Sequence, residues 1–180
     1  MTMETKKCTI VINGPGGVGK DTLCVMASRH FRVRNVSSIT PIKEIAAMCG
    51  WAGEKSDRAR RFLSDLKALT VAYNDYPTNW VLEQHRQFLA SDEELMFVHI
   101  REGAEIAKFV SRAPGRVVTL LVRGGARFHR RRGGYGNASD DGVEQYRYDY
   151  VFYNDKPLDK TEEVFVRFLE RILRGENRPK

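Results

Sequence analysis

Residues 14–22 read Gly-Pro-Gly-Gly-Val-Gly-Lys-Asp-Thr. The spacing G-x-x-x-x-G-K suits one kind of chemistry. Gly14, Gly16, Gly17 and Gly19, with Val18 between them, let backbone N–H groups turn inward and approach phosphate oxygens closely, and Lys20 can reach the β- and γ-phosphates. Asp21 stands where a hydroxyl residue commonly faces magnesium. A carboxylate is a good hard-oxygen ligand for Mg²⁺, directly or through water, and Thr22 offers a hydroxyl one residue later. The implied ligand is a nucleoside polyphosphate with its magnesium ion. The bland alternatives are a glycine-rich turn with a chance lysine, and Asp21 as a first-turn acid complementing a helix dipole.

Other charged and aromatic groups could serve the same chemistry. Arg58 and Arg61 lie at i, i+3, which on a helix puts them on nearly one face, suited either to a second phosphate or to solvent. Tyr73, Asn74, Asp75, Tyr76 and Trp80 cluster where two helices should meet; Tyr73 and Trp80 could stack on a base or close the corner. Arg101 and Glu102 follow an apolar run, at the edge where an open α/β sheet faces its ligand, and are candidates for a catalytic cation and a metal-ordering carboxylate. Arg123, Arg127, Arg130, Arg131 and Arg132 crowd a segment bracketed by glycines. Such a segment reads as a lid closing over the phosphates, with Arg127 and Arg131 as catalytic candidates, or as a solvated loop or nucleic-acid patch. His99 alternates with core positions and reads as a satisfied histidine rather than a base.

The elements that must hold these groups follow from periodicity. Cys8–Ile12 is a β-branched run of the kind that forms a buried parallel strand, and Leu23, Val25, Met26 and Ala27 suit a helix, so the glycines fall at a helix N-terminus that favours an anion. Arg32–Val36 reads as a second strand, and Pro41 opens a helix that Gly50 stops. From Ser56, Phe62, Leu63, Leu66, Leu69 and Tyr73 recur at helical spacing; after Pro77, Val81, Leu82, His85, Phe88 and Leu89 do the same. Leu95–Ile100, Arg116–Val122 and Asp149–Tyr153 read as strands, with a helix over Glu102–Arg112 and a closing helix that Gly175 caps. The result is an α/β fold, a three-layer α/β/α sandwich around a five-stranded parallel sheet, in one domain with a helical insert at about 51–92 and a flap at about 123–140.

Composition narrows the class. A chain of 180 residues can bury a stable core. The net charge of +7 points to an anionic partner without saying which. No stretch approaches a membrane span and Met1–Lys7 is polar, so the expected location is cytoplasmic. The three cysteines lack metal-ligand spacing and read as reduced, packed thiols, Cys49 among them.

The chain resembles the P-loop nucleoside monophosphate kinases, and in particular the deoxynucleoside monophosphate kinase and phosphomevalonate kinase group. The resemblance rests on Gly19-Lys20-Asp21-Thr22, Ser38-Ile39-Thr40-Pro41-Ile42-Lys43, Arg61-Phe62-Leu63, His99-Ile100-Arg101 and Tyr153-Asn154-Asp155. It implies ATP with Mg²⁺ and a nucleotide or other phosphorylated small-molecule acceptor. It also implies Arg61 at the acceptor phosphate, Arg101 at the transferring group and Asn154 near the donor base. Two departures stand out: His99 occupies the place of an aspartate, and Asn137-Ala138-Ser139-Asp140 lacks the histidine that the group has before its last strand. A second class remains open, a nucleotide-responsive binding protein that touches nucleic acid through the basic flap. No Asn-Lys-x-Asp guanine-reading segment follows the fourth strand, which argues against a GTPase.

Overall fold

A computed structural model describes residues 7–125 and 142–176. The strands are β1 (Cys8–Asn13), β2 (Val33–Ser37), β3 (Leu95–His99), β4 (Val117–Gly124) and β5 (Tyr150–Asn154). All pair in parallel in the order β2-β3-β1-β4-β5. Among the described residues six α-helices connect or close them: α1 (Lys20–Ala27), α2 (Thr40–Met48), α3 (Asp57–Asn74), α4 (Tyr76–Ala90), α5 (Gly103–Arg112) and α6 (Leu158–Arg174). This is the sandwich expected from the alternation of strands and helices.

The two-residue period of a strand divides the central apolar runs between two cores. Ile10, Ile12, Phe97, Leu120 and Val122 face α1 and α6, where they pack with Leu23, Met26, Phe165 and Leu169. Val11, Met96 and Val98 face the other way, onto Val81 and Phe88 of α4 and Ile106 and Phe109 of α5. The Phe152 ring meets Phe165 edge-on at 4.9 Å between centroids. On the second face a polar pair is fully satisfied: the Thr9 hydroxyl donates to His85 Nδ1 at 3.0 Å, and His85 Nε2–H donates to the Pro114 carbonyl at 2.8 Å.

One helix departs from the expected pattern. Of the 18 residues of α3 only Ala59 is buried. Phe62, Leu69 and Tyr73, which recur at helical spacing, are 37%, 68% and 86% exposed, so this apolar stripe lies toward solvent. The α3–α4 corner is closed by Asp75, whose φ of 53° is the one positive value outside glycine among the described residues. Lys108 Nζ holds its carboxylate at 2.6 Å.

Cys8 and Cys24 are buried as expected, whereas Cys49, after α2, is exposed. Burial pushes the Cys8 thiol up to about 11 against the pull of Arg116, and burial with the nearby Asp21 charge raises Cys24 further. Since the thiolate is the reactive form, alkylation of the folded chain near neutral pH should add one label, at Cys49. Intact-mass and peptide mapping check this, and unfolding should release all three sites. No helix among the described residues is long and apolar enough to cross a membrane.

Candidate functional site

Parallel pairing brings the C-terminal ends of the strands to one edge of the sheet. Ser37 is in register with His99, His99 with Ile12, and Gly124 with Asn154. A cleft of about 870 Å³ opens there, a size suited to a small-molecule ligand.

One wall is the loop after β1. Gly14 has φ 153°, and a Cβ there would lie 2.4 Å from the Val122 carbonyl oxygen, so a side chain is excluded by both conformation and space. Gly19 has φ 94° and caps the start of α1. Gly16 and Gly17 are exposed and line the cleft with Lys20 and Asp21. Lys20 Nζ donates to the Gly14 carbonyl at 2.5 Å and the Pro15 carbonyl at 3.0 Å, which keeps the ammonium over the loop. The loop with its lysine at the head of a helix fits a phosphate chain.

The opposite wall comes from the β2 exit, α2, α3 and the β3 exit. Ser37, Ser38, Ile39, Thr40 and Lys43 line it at the N-terminal end of α2, and Arg60, Leu63, Ser64 and Lys67 line it from α3. Trp80, Arg101 and Glu102 complete it, with Asn35 and His99 in the cleft beside Lys20.

Among the solved structures of similar shape, several are described as kinases. A dephospho-CoA kinase from Campylobacter jejuni superposes with a TM-score of 0.60 at 13% identity, over 93% of this chain and 98% of that one. A gluconokinase from Sinorhizobium meliloti 1021 gives 0.53 at 18% identity, over 94% and 95%. A thymidylate kinase from Candida albicans gives 0.51 at 15%, over 96% and 93%. The chain has the P-loop kinase fold. No protein-family model and no curated protein sequence matches it.

Within the P-loop kinase fold, the expected residues divide into those that meet in the cleft and those that do not. Gly16, Gly17, Lys20, Asp21, Trp80, Arg101 and Glu102 meet there. Arg58 and Arg61 do not line it; the α3 residues that do, Arg60, Leu63, Ser64 and Lys67, repeat at i, i+3, i+4, i+7, and 100° per residue carries Arg58 and Arg61 off that face. Tyr73 projects into solvent at the far end of the helix. Thr22 is exposed on α1 and lines no part of the cleft. Arg127 and Arg131 lie outside the described residues.

Two further expectations change in kind. Asn154 is 9% exposed, and its Nδ2 donates to the Val18 carbonyl at 2.9 Å, so its amide braces the loop from beneath rather than reaching outward to a base. Asn154→Ala leaves that carbonyl without its partner and should cost about 1–3 kcal/mol of stability, read as a lower denaturant midpoint at unchanged slope. Glu102 is taken up by Lys67, at 2.8 Å, and Lys67 also reaches Glu105 at 3.0 Å. Burial pushes both carboxyls up. The hydrogen bond and charge of Lys67 outweigh that for Glu102 and hold it below the usual carboxylate range, whereas Glu105 stays raised. Glu102 is thus an ion-pair partner that ties α3 to α5, and among the described residues no three acidic, histidine or cysteine side chains group as a metal site. Asp21 is left as the carboxylate that lines the cleft next to Lys20.

Other groups were not anticipated. Asn13 Oδ1 accepts from the Gly14 N–H at 2.9 Å, and its Nδ2 donates to the Arg101 carbonyl at 3.0 Å and the Tyr148 hydroxyl at 2.8 Å. Tyr148 donates onward to the Val143 carbonyl at 2.9 Å. Burial pushes the Tyr148 phenol up to about 12, which keeps it a neutral donor. This chain locks the first glycine of the loop to the β3 exit and to the segment before β5. His99 is satisfied, as expected, through Nε2–H to Asn35 Oδ1 at 2.8 Å, but it lines the cleft. Burial lowers its basicity, with Asp21 pulling it up and Lys20 down.

Proposed function

We propose that this chain transfers the γ-phosphoryl group of ATP to a small acceptor that already carries a phosphate, with a nucleoside monophosphate, a deoxynucleotide among them, as the acceptor class that the sequence resemblance favours. One observation carries the reading: a single cleft has a phosphate loop with Lys20 on one wall and a second set of cations, Lys43, Arg60 and Arg101, with the N-terminal end of α2, on the other. A kinase for a neutral acceptor has no need of acceptor-phosphate cations such as Lys43 and Arg60.

Phosphoryl transfer asks for positioning and for positive charge around the migrating group. The loop amides of Gly14–Gly19 and Lys20 hold the donor phosphates. Arg101, at the β3 exit on the second wall, takes the transferring group. Arg60 and Lys43 hold the acceptor phosphate, and α3 with α4 forms the acceptor-side wall, where Trp80 offers a stacking face. The donor set suits Mg²⁺, which supplies charge neutralisation on the phosphate oxygens when bound, and Asp21 is the residue that would face it, directly or through water. Lys67 is largely neutralised by Glu102 and Glu105 and serves to fix α3.

ADP formation measured over a panel of ribo- and deoxynucleoside monophosphates, phosphomevalonate and unphosphorylated nucleosides tests the proposal. Turnover with one phosphorylated acceptor class and none with nucleosides is the expected result. Tight ATP binding with no transfer to any member, together with salt-dependent binding to DNA or RNA, points instead to the nucleotide-responsive binding protein.

A further inference from the structure

The face of α3 turned away from the cleft carries a second message. Phe62, Leu66, Leu69 and Tyr73 are spaced 4, 3 and 4 residues apart, the rhythm of a knobs-into-holes helix seam. At 100° per residue they share a stripe about 60° wide, centred about 140° from the stripe that lines the cleft. Phe62, Leu69 and Tyr73 are 37%, 68% and 86% exposed, and α3 buries only Ala59 beneath it. The helix therefore turns its best apolar stripe outward.

We infer that this stripe docks a second copy of the same chain, α3 against α3 in antiparallel fashion about a two-fold axis. The order along the stripe is aromatic, leucine, leucine, aromatic, and the spacing reads the same in both directions. An antiparallel copy thus sets Phe62 against Tyr73 of the partner subunit and Leu66 against Leu69 of the partner subunit, each contact made twice, as an isologous interface requires. A parallel copy would bring the N-terminal arginines Arg58, Arg60 and Arg61 beside their own equivalents. The antiparallel arrangement moves them toward the partner's helix C-terminus, whose carbonyl ends carry partial negative charge. The stripe supplies part of the area that a dimer needs. At on the order of 200 Å² for a fully exposed side chain of this size, the three exposures stand for roughly 400 Å² of apolar surface per copy, half of the ~800 Å² per partner in a stable interface. The polar residues that flank the stripe supply the rim.

Sedimentation velocity on the full chain tests the inference. The wild type should run at twice the monomer mass of 20.6 kDa. Leu69→Glu, at an exposed helical position, should run as a folded monomer with an unchanged circular-dichroism spectrum. In a Cys49→Ser background, oxidising a mixture of F62C and Y73C proteins should give a cross-linked dimer, while F62C alone gives none. A wild type that stays monomeric at high micromolar concentration overturns the inference and leaves the stripe to a different partner. A dimer that Leu69→Glu does not dissociate, or one in which F62C cross-links to itself, overturns it as well.

Discussion

Lys20→Ala should lower kcat by about a thousandfold while leaving the fold in place. The size follows from what the ammonium does. A preorganised positive charge aimed at a migrating phosphoryl group acts where charge develops in the transition state, and removing one such donor costs about 10²–10³ in rate, or ~3–4 kcal/mol. Acceptor affinity should be nearly unchanged, because the cations on the far wall are untouched. Stability should change little. Lys20 contributes hydrogen bonds to the Gly14 and Pro15 carbonyls at the cleft surface, where water replaces it, so the loss is about 1 kcal/mol and the melting temperature should fall by about 2–4 °C. Steady-state kinetics beside a thermal melt separate the two effects. Near wild-type turnover would remove Lys20 from the chemistry. A collapse of both activity and melting temperature would mean that Lys20 props up the loop instead. Lys20→Arg should be almost as slow as the alanine variant, since a planar guanidinium is larger and spreads its charge over a fork.

How much of this was legible in the sequence depends on how local each signal is. The loop could be read because its signal is a short run of fixed spacing, from Gly14 through Gly19 to Lys20. The five strands could be read because residues such as Ile10–Ile12 and Met96–Val98 are apolar on both faces, the mark of a parallel sheet covered on each side. The bracing of the loop could not. Asn13 meets Tyr148 across 135 positions and Val18 meets Asn154 across 136, and no window of the sequence records that those amides and hydroxyls become each other's partners. Nor could the exposure of Cys49 beside a helix end. In α3 the difficulty is different. The helix carries one apolar stripe, Phe62 to Tyr73, and periodicity assigns such a stripe to the core. The neighbours of α3 in fact cover a different strip, around Ala59, and which face is covered is a property of the assembled fold.

Under the proposed function the same helix would decide which arginine holds the acceptor, and the consequence is a matched pair of variants. Arg60→Ala should raise the acceptor KM by about 10- to 100-fold with the ATP KM within about twofold of wild type, whereas Arg61→Ala should change neither. A charge-assisted hydrogen bond to a phosphate contributes about 1.5–3 kcal/mol, and each 1.4 kcal/mol is tenfold in affinity. Arg60 shares the cleft stripe with Leu63, Ser64 and Lys67, while Arg61, one position on, is rotated by 100° and lies outside the cleft lining. The competing partner of Arg60 is weak: Asp57 sits 3.7 Å away with both side chains exposed, and a surface pair of this kind contributes ~0–1 kcal/mol, so the guanidinium can turn to a ligand at little cost. The comparison uses adjacent residues of identical chemistry on one helix, so net charge and helix propensity cancel between the two variants and only direction remains. Initial-rate measurements varying acceptor at saturating ATP, and the reverse, give the two KM values. An Arg61→Ala variant with the larger acceptor effect would mean that α3 rotates or slides when the acceptor binds, since the cleft lined by Arg60 could not then be the geometry that holds the phosphate.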